Sequence, residues 1–234
     1  MNLNTIKKYV INLKRRPERL RQIDKEMQYM GWEYELFEAI DTNSYIGCIL
    51  SHKAIAQKFL ESNEESVMVL EDDAFFMPYA KELVKKLNVS LTEIQWQIIN
   101  LGPSINRPVD KTTNNLLDIS NLPPCDKDKH RGIYGTVGLL YGRNVAKQIV
   151  EFYEENKREN YILPIDQFLD EHVYPKGNCY SPYIPLITQR PAFSDINQTQ
   201  DNNHYVITYN WNGYTGHKLP NNYMDFNFCD GERK

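Results

Sequence analysis

The run SVMVL (66–70), followed at once by Glu71, Asp72 and Asp73, constrains this 234-residue chain more than any other stretch. Four apolar residues in succession leave no polar face. As a strand the segment must be covered on both sides, as strands of parallel sheets in α/β proteins are. Its surroundings agree. KYVINL (8–13) reads as a first buried strand, and Pro17 suits the opening turn of a helix that continues over Glu18–Met30 and that Gly31 closes. WEYELFEAI (32–40) alternates roughly as a second strand, and IGCILSHKAIAQKFL (46–60) has helical spacing. A helix over Tyr79–Leu87 precedes a strand WQIINL (96–101). A Gly-punctuated strand GIYGTVGLLY (132–141), a helix Asn144–Tyr153 and a short helix after Pro164 follow. This alternation predicts an α/β fold with a mainly parallel sheet flanked by helices, in a single domain over residues 1–234. Residues 103–130, where Asn, Pro, Asp and Lys are prominent, read as surface loop with at most one strand, Asn115–Ile119.

Composition excludes several classes. Lys and Arg number 27 against 31 for Asp and Glu, a net charge of −4, so the overall basic field of a general nucleic-acid binder is missing. The longest apolar runs fall far short of the ~18–20 residues of a membrane span. The first residues lack the apolar stretch and cleavage site of a secretory signal, and DGERK at the end is no retention tetrapeptide. Cys48, Cys125, Cys179 and Cys229 are widely spaced with no C-x-x-C pair, which suits reduced thiols and a cytoplasmic protein. The sequons at Asn88 and Asn197 then carry no meaning.

The acid trio falls where ligands bind in open α/β sheets, beyond the carboxyl end of a strand. Three adjacent carboxylates repel one another unless solvated or neutralised by a cation. Their hard oxygens suit Mg²⁺ or Mn²⁺, ions that often share their sphere with substrate phosphates. The alternative is a solvated acidic turn before a helix. Lys14, Arg15 and Arg16, in the turn after the first strand, together with Arg19 on the next helix, suit a diphosphate or simply solvate one helix face. No Walker-type or G-x-G-x-x-G loop is present. Ser51-His52 reads as a buried hydrogen-bonded pair, Asp166 as a first-turn acid, and Ser194-Asp195 as a turn.

In order, YVINLKRRPERL (9–20), FEAID (37–41), GCILSH (47–52), VMVLEDDAFF (67–76), WQIINLG (96–102), YGTVGLLYG (134–142) and LPIDQFL (163–169) resemble glycosyltransferase family 25. A final set, Pro185, Gln189, Ser194 and Asp195, extends the match, which runs over about residues 8–200 and leaves 201–234 as a tail packed on the core. INLKRR and LPIDQFL look closer to the collagen-modifying branch than to the bacterial lipooligosaccharide branch. The resemblance implies a GT-A type, Rossmann-like fold, a nucleotide-sugar donor such as a UDP-hexose, galactose before glucose, and Mn²⁺ or Mg²⁺. It places Asn12, Leu13, Arg16, Arg19, Asp41, Ser51, His52 and Asp72 around the donor. Asp73 would ligate the metal, with Glu71 and Asp195 as further ligand candidates.

The family inverts at the anomeric carbon, so the acceptor hydroxyl needs a base opposite the leaving diphosphate; Asp166, the remaining acid in a matched motif, is the candidate. The implied acceptor is a glycan or a hydroxylysine-containing polypeptide. Only Thr42–Ile46 separate Asp41 from Gly47, where many relatives carry a longer segment, so acceptor choice does not transfer. A catalytically silent nucleotide-sugar-binding homologue and a metal-dependent phosphohydrolase remain as alternatives.

Overall fold

The computed structural model describes residues 1–42, 44–105, 112–113, 115–120, 122, 132–157, 162–190, 192–194 and 199–201. Its elements are β1 (Lys7–Asn12), α1 (Pro17–Met30), β2 (Glu35–Glu38), α2 (Tyr45–Glu61), β3 (Ser66–Glu71), β4 (Ala74–Phe76) and α3 (Ala80–Glu93). Then come β5 (Ile98–Asn100), β6 (Ser104–Ile105), β7 (Thr112–Thr113), β8 (Leu116–Asp118), β9 (Ile133–Tyr134), β10 (Gly138–Gly142) and α4 (Arg143–Glu155). A four-residue helix, α5 (Ile165–Phe168), continues as a π-helical stretch (Leu169–Val173) and a 3₁₀ turn (Tyr174–Lys176) into β11 (Cys179–Pro182), followed by β12 (Ile187–Gln189), β13 (Ala192–Ser194) and β14 (Thr199–Asp201).

Eight strands form one sheet in the order β2-β1-β3-β10-β5-β11-β8-β7. The pairings set β2, β1, β3, β5, β11 and β7 in one direction and β10 and β8 in the other. The expected α/β sheet, mainly parallel in strand direction, is therefore present. Alternate residues of its strands feed two apolar layers. Tyr9, Val67, Val69, Leu139 and Tyr141 face α2, α4 and α5 through Ile49, Phe59, Ile149 and Phe168. Val10, Met68, Leu70, Ile99 and Leu140 face α1 and α3 through Ile23, Met27, Leu83 and Leu87. Val67 to Leu70 are 0% exposed, as a run with no polar face requires.

Local signals behave as their chemistry dictates at the helix ends. Pro17 occupies the first turn of α1, and Gly31 closes it in the left-handed region at φ 71°. Ser44 caps α2 by accepting from the Ile46 N–H.

Several boundaries differ from the sequence reading. The second strand covers only Glu35–Glu38 of the expected 32–40. The helix expected over Tyr79–Leu87 runs on to Glu93, because Leu91 extends the apolar stripe of Leu83, Val84 and Leu87. GIYGTVGLLY is two strands, not one, broken at Gly135, whose φ of +87° a strand cannot hold. Within 103–130 the one strand expected, Asn115–Ile119, is present as β8 (Leu116–Asp118), while β6 and β7 are two short strands that the surface-loop reading did not include. Leu116 and Leu117 are 0% exposed, and their strand β8 joins the central sheet beside β11. Among the described residues no helix is long and apolar enough to cross a membrane.

Candidate active site

The carboxyl ends of three strands that run in one direction open on the same edge of the sheet, β1 and β3 side by side and β5 beyond the antiparallel β10. β1 ends in Asn12, β3 in Glu71 and β5 in Asn100, so the crevice beyond them is where α/β sheets place ligands. The acids do not lead directly into a helix. Asp72 and Asp73 form the tight turn between β3 and β4, and β4 pairs antiparallel with β12, Ala74 opposite Gln189. That turn is buried. Asp72 is 7% and Asp73 5% exposed, which removes the solvated-turn alternative.

Each acid has its own partners. Asp72 accepts from Asn12 Nδ2 at 2.7 Å and from Arg19 at 3.0 Å. Asp73 Oδ2 accepts from Gln189 Nε2 at 3.0 Å and meets Arg19 at 3.4 Å, while its backbone carbonyl accepts from the Arg190 N–H at 2.7 Å. Glu71 accepts from Thr136 Oγ1 at 2.5 Å and lies 3.4 Å from His52 Nε2. Burial pushes the Asp73 carboxyl from 3.8 up to about 7, reinforced by the charges of Glu71 and Asp72. Asp72 is also raised, chiefly by burial. Burial pushes Glu71 upward too, but the contacts with His52 and Thr136 outweigh it and leave its pKa below the ordinary value.

Asp73 Oδ1 is buried and has no hydrogen-bond partner in the structure. An unmatched carboxylate oxygen, beside two further acids that oppose its ionisation, fits a divalent cation with hard oxygen ligands. Asp73 would hold it, with Asp72 and Glu71 contributing negative charge at the same strand end.

Helix α2 presents two adjacent stripes here. Gly47 and Ser51 face the Ile40 peptide. The Ser51 hydroxyl accepts from the Ile40 N–H at 2.9 Å and donates to the Gly47 carbonyl at 2.7 Å. A Cβ on Gly47 would stand 2.2 Å from the Ile40 carbonyl oxygen. Gly47→Ala is therefore expected to force this loop off the helix, lowering stability by about 1–3 kcal/mol in denaturant titration, as overpacking does. The second stripe, Cys48 and His52, meets Glu71. Cys48 Sγ, a His52 ring nitrogen and a Glu71 carboxylate oxygen all lie within 4.8 Å of one another. Burial raises the Cys48 thiol pKa well above its ordinary value, helped by the charges of Glu71, Asp166 and Asp73.

Asp166 stands in the first turn of α5. It accepts from its neighbour Gln167 N–H at 2.9 Å and from the Gly135 N–H at 3.4 Å. The Gly135 carbonyl in turn accepts from Asn100 Nδ2 at 2.9 Å, and the adjacent Thr136 bonds Glu71. The break at Gly135 thus joins the candidate base to the acid trio.

The remaining expected residues divide. Leu13 is half-buried just past β1, and its carbonyl accepts from the Arg16 N–H at 2.8 Å. Arg16 pairs with Glu18 at 2.5 Å, while Arg19 reaches the acids. Asp41 is exposed and pairs with Arg15 at 2.7 Å. Ser51 is 0% exposed, with its hydroxyl committed to the chain's own backbone. Asp195 and residues 202–234 lie outside the described residues.

Sequence reasoning missed Glu26 and Arg190. Glu26 is 0% exposed, accepts from the Phe76 N–H at 3.0 Å and meets Arg190 at 3.3 Å; Arg190 lies 5.1 Å over the Phe75 ring. This buried pair ties α1 and β4 to the segment whose backbone holds Asp73. Glu26→Ala removes the carboxylate that both the Arg190 guanidinium and the Phe76 N–H meet in the interior, so it is expected to lower unfolding stability by about 3–5 kcal/mol. Gln189 belonged to a quoted motif; Thr136 and Asn100 lay in quoted motifs without an assigned role.

Comparison with known proteins agrees with the fold and with the family resemblance. A sequence model of glycosyltransferase family 25 (LPS biosynthesis protein) matches residues 5–45 and 42–169. A "Glycosyltransferase 25 family member" of Aedes aegypti is 27% identical over 191 residues, covering 69% of this chain and 30% of that protein. Procollagen galactosyltransferase 2 of Homo sapiens is 24% identical over 192 residues, covering 69% and 29%. The chain thus matches about a third of the length of these relatives. Among solved structures, a glycosyltransferase involved in the glycosylation of the major capsid of PBCV-1 superposes with a TM-score of 0.54 at 12% identity, covering 82% of this chain and 96% of that one.

Proposed function

The chain belongs to glycosyltransferase family 25, and from that premise we propose that it is an inverting, divalent-cation-dependent hexosyltransferase. Its donor in this reading is a UDP-hexose, galactose before glucose. Its acceptor is a hydroxyl of a glycan or of a hydroxylysine-containing polypeptide, in keeping with the procollagen galactosyltransferase among its relatives. The observation that carries the proposal is the buried Asp73 with its unmatched Oδ1 at the carboxyl end of a central strand.

When bound there, the cation would supply Lewis-acid stabilisation of the departing diphosphate. The chain's own residues do the rest. Arg19, bonded to Asp72 and close to Asp73, adds a fixed positive charge beside the leaving group while holding the acids apart. Asn12 fixes Asp72 with one N–H and bonds the Arg16 carbonyl, so the turn after β1 and the acid turn keep one spacing. In this reading Asp72 is left to orient ribose or sugar hydroxyls. Asp166 takes the proton of the attacking hydroxyl, its carboxylate aimed by the Gln167 and Gly135 N–H groups.

The test is UDP release by the purified chain with Mn²⁺, a panel of UDP-sugars, and collagen-type and glycan acceptors. Release with one UDP-hexose, lost on EDTA addition, is the expected result. UDP binding with no turnover across the panel would instead establish a catalytically silent homologue.

A further inference from the structure

Cys48 and His52 are used by nothing in the transfer chemistry above, yet they converge on Glu71. They sit one turn apart on α2, the spacing by which helical pairs of ligands bind zinc. Thiolate, imidazole and carboxylate are the three side-chain types that zinc takes. Their ligand atoms lie within 4.8 Å of one another. Around a tetrahedral Zn²⁺ with bonds of roughly 2.0–2.3 Å, ligand atoms stand about 3.3–3.8 Å apart. The cluster needs to close by about 1 Å, within reach of small rotations about the side-chain bonds.

A second observation points to a missing ligand. His52 is 0% exposed, and its Nδ1 has no hydrogen-bond partner in the structure. Its Nε2 has only the 3.4 Å contact with Glu71, at the long limit for a hydrogen bond. Buried imidazoles are ordinarily well bonded, because unsatisfied polar groups are costly. A metal held between Nε2 and Glu71 would replace this long contact with a strong bond to a ring that the protein otherwise leaves poorly matched.

We propose that Cys48, His52 and Glu71 form a site for one Zn²⁺, with water in the fourth position, distinct from the hard-oxygen position at Asp73. The sulfur makes the difference between the two. Thiolate selects zinc over Mg²⁺ and Mn²⁺, whereas the Asp72-Asp73 turn offers oxygen alone. On binding, the S–H bond breaks, the Zn–S bond forms and the thiol proton leaves to solvent.

Cobalt is the probe. The full chain, dialysed against EDTA and then freed of it, is titrated with Co²⁺. The expected result is a near-ultraviolet thiolate-to-cobalt charge-transfer band that saturates at one equivalent and is bleached by Zn²⁺. Cys48→Ser should remove the band, whereas Cys125→Ser and Cys229→Ser should keep it. No band in the wild type, or a band surviving Cys48→Ser, would overturn the proposal. The wild type alone carries a second arm, independent of whether any variant folds. Zn²⁺ should slow alkylation of Cys48, followed by peptide mass spectrometry, by tenfold or more; an unchanged rate means that the sulfur does not ligate. Neither readout depends on glycosyl transfer, so failure here and failure of the transferase reading are separable.

Discussion

Asp73→Asn is expected to abolish cation-dependent transfer and, in the same protein, to raise the stability of the cation-free state. The first effect follows from the lost ligand charge. Several kcal/mol of leaving-group stabilisation correspond to a fall of roughly 10³-fold or more in turnover. The second follows from burial. The folded carboxyl is pushed to about 7 from 3.8, so between about pH 4 and pH 7 the folded chain holds a proton that the unfolded chain has released. Stability therefore falls as pH rises through that window, and asparagine, which cannot ionise, removes the fall. After allowance for the weakened contacts with Arg19 and Gln189, the gain near pH 7.5 should be about 1–3 kcal/mol, a rise of a few degrees in Tm. Added Mn²⁺ should then raise the Tm of the wild type by mass action and leave that of the variant unchanged. Thermal unfolding with and without Mn²⁺, beside UDP release, checks all three. A variant that is less stable than wild type and still active would mean that Asp73 is an ordinary structural acid.

Asp166→Asn is expected to behave differently. Its carboxylate touches the Gly135 and Gln167 N–H groups and none of the Asp72 or Asp73 partners described above. UDP affinity should be unchanged within about twofold, while transfer drops by the ~10²–10⁴-fold typical of a lost general base. The pair of substitutions separates two functions of one crevice. Asp73→Asn should lose both the cation and the turnover; Asp166→Asn should lose turnover alone. Normal turnover by the second variant would place the base elsewhere, and a matching loss of UDP affinity would make Asp166 a donor-site residue.

What could be read from the residues alone was whatever a short run determines by itself. SVMVL had no polar face and is buried on both; Pro17 and Gly31 delimit α1 because φ and donor chemistry act locally. GCILSH also holds its meaning within two turns of helix. Gly47 and Ser51 grip the Ile40 peptide, and Cys48 and His52 fall on the next stripe. Other features depended on partners far away in sequence. Glu26 and Arg190 are 164 positions apart, and only the packing of α1 against β4 and the segment after β12 makes them a pair. β4 was hidden because three residues paired with a distant strand carry no pattern of their own. The break in GIYGTVGLLY was marked by Gly135, but a glycine within an apolar run states neither its φ nor that its N–H will meet Asp166. The strand through Leu116 and Leu117 was legible as Asn115–Ile119, whereas its burial in the central sheet beside β11 was not, because β11 is distant in sequence. The acid trio was legible as a ligand site by its place after a buried strand, whereas its burial and its sharing among Asn12, Arg19 and Gln189 required the fold.

The most direct measurement is a crystal structure of the chain grown with Mn²⁺ and UDP, with manganese located by its anomalous signal. The expected result is an ion within coordination distance of Asp73 Oδ1, beside the diphosphate, with Asn12 and Arg19 at the same edge of the sheet. Manganese and uridine nucleotide bound elsewhere, with Asp73 still facing only protein, would contradict it.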